Sequence, residues 1–252
     1  MKKALTQYFR QLDSLPALVL ALLILSVVGM NLLANKSINT GLDWLALDAG
    51  ILLSWLTFLT MDILTHCYGP MAATRASMAA LVVNLLMAGV FFCASQLPGE
   101  WGESFVEGSE QVINGALNNT FGGTWFILLG SSIAFAVSSV LNNWLNYGIG
   151  KLLDTREGFG AFALRSYVST FLAQFTDNIV FALLVSRTFF GWTLLQCVTC
   201  ALTGALLELF FEVFFSPVGY RISRKLMESR GESLPEQGAA CESDAQPTPS
   251  AS

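Results

Sequence analysis

The sequence predicts an all-α integral membrane protein of six transmembrane helices, and three observations carry that prediction. Hydrophobic residues make up 54% of the 252 residues and charged residues only 12%, against about 25% charged in ordinary soluble domains. The mean hydropathy is +0.58. The apolar residues also gather into six runs of about 20 residues, the length a helix rising about 1.5 Å per residue needs to cross a hydrocarbon core of about 30 Å.

The runs cover approximately residues 15–34, 48–67, 76–97, 121–147, 161–186 and 191–215. The first follows Met1-Lys2-Lys3 and so imitates a signal peptide. It continues beyond the length of a signal's apolar region, and no small-residue cleavage site closes it, which makes it an uncleaved helix. The fourth run ends in Asn142, Asn143 and Asn146, so its last turns are expected to leave the hydrocarbon. Between the third and fourth runs an outer loop, 97–120, carries Glu100, Glu103, Glu107 and Glu110 and no basic residue. It reads either as a short surface helix or as a solvated loop. From about Ser229 the chain is rich in Ser, Glu, Gln, Pro and Ala and is expected to be disordered. The expected organisation is an N-terminal cytoplasmic segment 1–14, a six-helix membrane domain 15–218 and a cytoplasmic tail 219–252.

Orientation follows from the basic residues, which concentrate in cytoplasmic loops. With the N-terminus inside, Lys2, Lys3, Arg10, Arg75, Lys151, Arg156, Arg221, Arg224, Lys225 and Arg230 are cytoplasmic, Arg165 lies just within the fifth helix on that side, and only Lys36 and Arg187 fall outside. The reverse orientation inverts that balance. Both termini are therefore expected in the cytoplasm, in a cytoplasmic (inner) membrane. The net charge of −5 comes mainly from one loop and the tail. No basic patch offers a surface to nucleic acid.

The five cysteines make no disulfide framework. Cys67, Cys93, Cys197 and Cys200 lie in or beside apolar runs, and Cys241 lies in the tail. The Cys197–Cys200 spacing suggests redox or metal chemistry in a soluble protein. Inside Trp192-Thr-Leu-Leu-Gln-Cys-Val-Thr-Cys200 it reads as two small apolar helix residues.

Three runs on either side of the acidic loop suggest two halves, and with an odd number of spans each, a repeat between them has to be inverted in the membrane. Thr57-Phe58-Leu59 before Asp62 echoes Thr170-Phe171-Leu172 before Asp177, each on the middle helix of its half. Chance similarity is the competing explanation.

Ionisable groups inside apolar runs are costly and usually face a cavity or a partner. Asp62, Asp177, Glu208 and Glu212 are such groups. Asp62 and His66 share a helix face, as do Glu208 and Glu212. Thr170, Gln174 and Asp177 form a stripe with Asn178 beside it, and Asn31 and Asn84 add amides on the first and third helices. Together they form a polar seam of the kind that lines a solute path. The competing explanations are interhelical hydrogen bonding for the amides, snorkelling to the inner face for Glu208 and Glu212, and an interfacial side chain for His66. Asp62 and His66 resemble half of a metal site, but no second histidine exists in the chain. No nucleophile elbow or phosphate-binding Gly-rich loop appears. Neither an enzyme nor a resident cofactor is expected.

The run Phe58-Leu-Thr-Met-Asp62-Ile-Leu-Thr65-His66-Cys-Tyr68-Gly69 resembles the D-x-x-T-x-x-Y-G signature of the Vut family, the queuosine-precursor carriers once grouped as vitamin uptake proteins. Asn31-Leu-Leu-Ala-Asn-Lys36 resembles the end of that family's first helix. Arg165-Ser-Tyr-Val-Ser-Thr170 through Gln174-Phe-Thr-Asp177 resembles its R-x-x-x-S/T…D segment, and Glu212-Val-Phe-Phe-Ser-Pro217 its closing E-x-x-x-x-P. The likeness covers about residues 20–225. His66 stands where many members have Glu, and Glu208 where many have a basic residue. The resemblance implies import of a 7-deazaguanine (preQ0, preQ1 or queuine) for tRNA modification. The expected substrate-binding residues are Asp62, His66, Gln174, Asp177, Asn178, Glu208, Glu212 and Asn31. A guanine-like edge presents adjacent N–H donors that one carboxylate accepts side by side, with an amide for the base carbonyl. Phe58, Phe175 or Phe181 would serve as a stacking face, core or lipid packing being the alternative.

The other function classes are a substrate-binding S-component of an energy-coupling-factor vitamin transporter, for which Ala17 and Ala21 have docking-motif spacing, and a membrane enzyme using Asp62 and His66. The expected partners are the small-molecule base and the bilayer. Gly130, Ala134 and Ser138 make a small-residue stripe that packs either within the bundle or against a second copy in a homo-oligomer.

Overall fold

The computed structural model describes residues 8, 12–38, 41–42, 47–99, 101, 108, 110–122, 125–153 and 158–229. The tail beyond Ser229 and residues 100, 102–107 and 109 of the acidic loop lie outside the described residues, together with what was expected of them. In chain order the elements are α1 (Ala17–Leu33), a two-residue β1 (Ser37–Ile38), β2 (Leu47–Asp48), α2 (Ile51–Tyr68), α3 (Pro70–Gln96), α4 (Glu110–Gly122), α5 (Trp125–Leu152), α6 (Phe159–Phe181) and α7 (Leu194–Ser229). The two strands pair antiparallel, Ser37 with Asp48 and Ile38 with Leu47, in the connection between α1 and α2.

The chain is an all-α membrane protein. Among the described residues five helices are long and apolar enough to cross a bilayer, namely α2, α3, α5, α6 with its extension, and α7. The sixth apolar helix, α1, has 17 residues, at the short end of the spanning range of about 17–25. Its Val19, Leu23, Val27 and Met30, with Leu15 just before the helix, bury against Phe58, Met61 and Leu64 of α2 and an alanine stripe of α3, Ala72, Ala73, Ala76 and Ala80. Leu18, Leu25, Val82, Leu86, Leu195, Phe210 and Phe214 point outward. Apolar side chains outside and a long roll of serines, amides and acids inside is the arrangement hydrocarbon demands.

Two local devices connect the helices. Gly69 adopts a left-handed φ of 82°, which only glycine takes without strain, and Pro70 follows as the first residue of α3, where its missing N–H costs nothing. The tyrosine–glycine end of the signature is thus a hairpin between spans. Within α7, Pro217 removes the N–H that would bond Val213, and the neighbouring Ser216 Oγ donates to that carbonyl at 3.1 Å. The helix continues past the expected boundary at residue 218 to Ser229. The acidic loop does contain a helix, α4, and Trp101 Nε1 donates to its Asn118 at 2.8 Å.

α2 is the central helix, packed against all five other spans. Its counterpart in the second half, α6, leans chiefly on α5 and α7, so the two halves are not packed alike. α5 and α6 run antiparallel in constant register: Gly130 lies against Val185, Ser138 against Asp177 and Gly150 against Arg165. A Cβ on Gly130 would stand 2.2 Å from Val185 Cγ2. The stripe Gly130, Ala134, Ser138 therefore serves packing within the bundle. α6 passes through a π-helical turn, Ala182–Ser186, into a final turn Arg187–Phe190. Cys197 contacts the Ala182 carbonyl at 3.6 Å through sulfur.

Candidate functional site

The centre of the molecule is Asp62. It is fully buried on the central helix, and its oxygens collect donors from two neighbouring helices. Asn142 Nδ2 of α5 donates to Oδ1 at 2.7 Å. Thr170 Oγ1 of α6 donates to Oδ2 at 3.2 Å, and Ser166 Oγ is bonded to the same oxygen. Ser166 Oγ is also bonded to Glu212 Oε1 of α7. One serine hydroxyl thus lies between two carboxyls from two other helices. One turn beyond Asp62, Thr65 Oγ1 donates to Asn143 Oδ1 at 3.2 Å, and Asn143 Nδ2 donates to Thr74 Oγ1 at 3.2 Å. The two polar residues of the signature, Asp62 and Thr65, therefore reach the adjacent amides Asn142 and Asn143.

Asn142, Asn143 and Asn146 are buried within the bundle, each at most 1% exposed. Their helix faces inward at this depth, and a carboxylate inside an apolar bundle needs such donors.

Towards the face that carries both termini, the site is closed by rings and a cation. His66 does not bond Asp62; its ring packs on Phe162 with centroids 5.5 Å apart. Phe162 and Phe159 each lie 5.6 Å from Tyr220. The Arg165 guanidinium stands 5.3 Å from the Phe162 ring centroid, with Nε and Nη2 buried and bonded to no partner.

Towards the opposite face, the α6 stripe continues. Gln174 is buried with an unbonded Nε2. Asp177 accepts from Ser138 Oγ at 2.7 Å. It lies seven residues past Thr170, about 10 Å along the helix, so it forms a second polar level and not part of the Asp62 group. Asn178 lies beside it against Gly204 of α7, its Nδ2 unbonded. Glu208 accepts from Ser54 Oγ at 2.6 Å, and Ser54 is in the first turn of α2. Glu208 thus sits near the end of α2 opposite His66 and does not snorkel to the termini-bearing face. The helix running on to Ser229 explains this, because Glu208 is 15 residues into a helix of 36.

Asn31 lies apart from these groups. Its Nδ2 donates to Val27 O at 2.8 Å and its Oδ1 accepts from Ser131. It lines a cleft with Asn35, Asn84, Phe91 and Phe121 that none of the four acids reaches. Phe58 packs in the α1–α2–α3 core, which answers the stacking question for that ring.

The serines are what the sequence reading missed. Ser166, Ser138 and Ser54 each bond an acid inside the bundle, but a serine in an apolar helix usually bonds its own backbone, as Ser139 and Ser77 do here and as Ser138 and Ser54 also do. Nothing in the sequence separates the two groups.

A family profile described as "Putative vitamin uptake transporter" matches residues 48–222. The match takes in α2 to α7 with all four acids and excludes Asn31. No curated protein and no solved structure matches the chain.

Proposed function

The chain belongs to the vitamin uptake transporter (Vut) family, and from that premise we propose that it imports a queuosine precursor (preQ0, preQ1 or queuine) across the inner membrane for tRNA modification. In this reading both termini are cytoplasmic, as the basic residues favour. The observation that carries the proposal is the hydroxyl-bridged pair of acids, Asp62 and Glu212, with unmatched polar atoms converging around it. Glu212 Oε2, Asn142 Oδ1, both side-chain atoms of Asn146 and Gln174 Nε2 are buried without a hydrogen-bond partner. Buried polar atoms ordinarily are bonded, so an accumulation of exceptions calls for an explanation.

A 7-deazaguanine supplies what these atoms lack. Its N–H edge fits a carboxylate oxygen, its ring carbonyl fits an amide donor, and each charge-assisted bond is worth about 1.5–3 kcal/mol. Asp177, Asn178 and Glu208 form the level through which the base would pass from the outer face, and an amine substituent would find its counter-charge there. Uptake of labelled preQ1 in cells lacking their own carrier tests the proposal. Import is expected from the intact chain, with losses of at least tenfold in Asp62→Ala and Asp177→Ala. Wild-type uptake by both variants would sink the site assignment.

One observation favours a second reading, an S-component that docks on a coupling subunit. Ala17 and Ala21 both lie exposed on the outer face of α1, where a partner helix would find them. Uptake in a host without energy-coupling-factor genes, by protein that purifies alone, would exclude it.

A further inference from the structure

We infer that the Asp62–Ser166–Glu212 bridge is a proton-binding site that couples import to the proton gradient, with one proton carried per cargo molecule. The inference rests on the transport reading and adds its energy source.

The hydrogen inventory leads to it. Ser166 Oγ is bonded to Asp62 Oδ2 and to Glu212 Oε1, yet a hydroxyl has a single hydrogen. Thr170 has one as well, and it points at Asp62. The Asp62 and Glu212 carboxyls are joined through the one Ser166 hydroxyl. Were both ionised, lone pairs would face lone pairs in a fully buried site. Like charges that close cannot both persist, which is the situation of two acids sharing one proton. The pair is complete when one carboxyl brings a hydrogen of its own.

The neighbours say which one. Asp62 takes donors on both oxygens, Asn142 on one side and Ser166 with Thr170 on the other, which suits a carboxylate. Glu212 has an Oε2 that meets no donor although fully buried, which suits an acid. The chain then runs from the Glu212 hydroxyl to Ser166 Oγ and from the Ser166 hydroxyl to the Asp62 carboxylate. Arg165 on α6 acts electrostatically on Asp62, and His66 and Cys67 on α2 and Tyr220 on α7 act in turn on Arg165. Arg165, next to Ser166 in the chain, has its Nε and Nη2 uncommitted. When the proton leaves towards the termini-bearing face, this guanidinium supplies the replacing positive charge. The proton enters from water on one side, resides on Glu212 and leaves to water on the other; no bond of the cargo changes.

The test uses full-length protein in proteoliposomes with preQ0 as probe and the membrane potential clamped at zero. With the outside one pH unit more acidic, wild type is expected to accumulate preQ0 about tenfold, the ratio that one proton and one pH unit provide, and a proton ionophore should abolish the excess. Glu212→Gln is expected to differ in rate through its part in binding, but its end level should not respond to the gradient. Wild-type counterflow exchange at equal pH, together with an end level indifferent to the gradient, would overturn the inference and leave the cargo reading standing. Absent counterflow would instead refute the cargo reading, and a second measurement then decides the proton site. Infrared spectra of the wild type should show the carbonyl stretch of a buried carboxylic acid, lost in Glu212→Gln and shifted in Ser166→Ala. No such band in the wild type would overturn the inference whatever the cargo.

Discussion

Substituting Gly130 by alanine probes the register that places half of the polar site. The new Cβ would stand 2.2 Å from Val185 Cγ2, while carbon atoms pack at about 3.5–4.0 Å. More than about 1 Å of room has to be found. Val185 is 1% exposed and β-branched, so its χ1 is stiff, and it lies in the π-helical turn. The helices must therefore part, at a cost of about 1–3 kcal/mol for overpacking. Val185→Ala alone loses two buried methyl groups, about 1.5 kcal/mol. Combined, the alanine at 130 occupies the space vacated at 185, and the two effects should not add. Reversible unfolding of the four proteins in mixed micelles gives the cycle, with a coupling of at least about 1 kcal/mol expected. Additivity within about 0.5 kcal/mol, as for independent sites, would refute the register, and with it the alignment of Ser138 with Asp177 and of Gly150 with Arg165.

Three further outcomes follow from the geometry. Asn142→Leu removes the donor to Asp62 at 2.7 Å; it should lower stability by about 1.5–3 kcal/mol and abolish import, measured by unfolding and uptake together. Gly204→Ala brings a Cβ within 2.7 Å of Asn178 Nδ2, the free end of a flexible side chain. Stability should stay within about 1 kcal/mol of wild type, while cargo affinity falls about tenfold, the equivalent of one hydrogen bond of about 1.4 kcal/mol. Tyr8 donates to the Arg75 carbonyl at 2.9 Å, and burial raises its hydroxyl above the ordinary value near 10, with Arg75 pulling the other way. A raised value means that the folded state holds the proton more tightly, so this tether is intact below about pH 10 and weakens as the pH climbs through the raised value. Protease cleavage of the N-terminal segment should accelerate above pH 10 in wild type and be independent of that pH range in Tyr8→Phe.

Much of the fold was legible because hydrocarbon imposes so simple a rule. An apolar run long enough to cross has to be a helix, and an acid within it has to face inward, which was enough to mark Asp62, Asp177 and Glu212. The depth of Glu208 was not legible, since hydropathy locates the end of an apolar run and not the end of a helix; α7 runs on to Ser229. The partners of Asn142 and Asn143 were not legible for a related reason. Three amides near the end of a span have the composition of an exit, and only the packing of α5 against α2 shows that they reach Asp62 and Thr65. The same limit applies to Ser166, whose role exists only where α2, α6 and α7 meet. The small-residue stripe of α5 was recognisable as a contact, but which surface it contacts depended on the register with α6.

The central claim is that a 7-deazaguanine binds at the Asp62–Glu212 pair, and direct binding tests it most simply. Detergent-purified protein would be heated with preQ0, preQ1, queuine, guanine or biotin, compared side by side. At about a hundred times its Kd a specific ligand stabilises by about 2.7 kcal/mol. The deazaguanines should raise the melting temperature of the wild type, biotin should not, and Asp62→Ala should lose the response. Stabilisation by biotin alone, or an equal response from Asp62→Ala, would contradict the account.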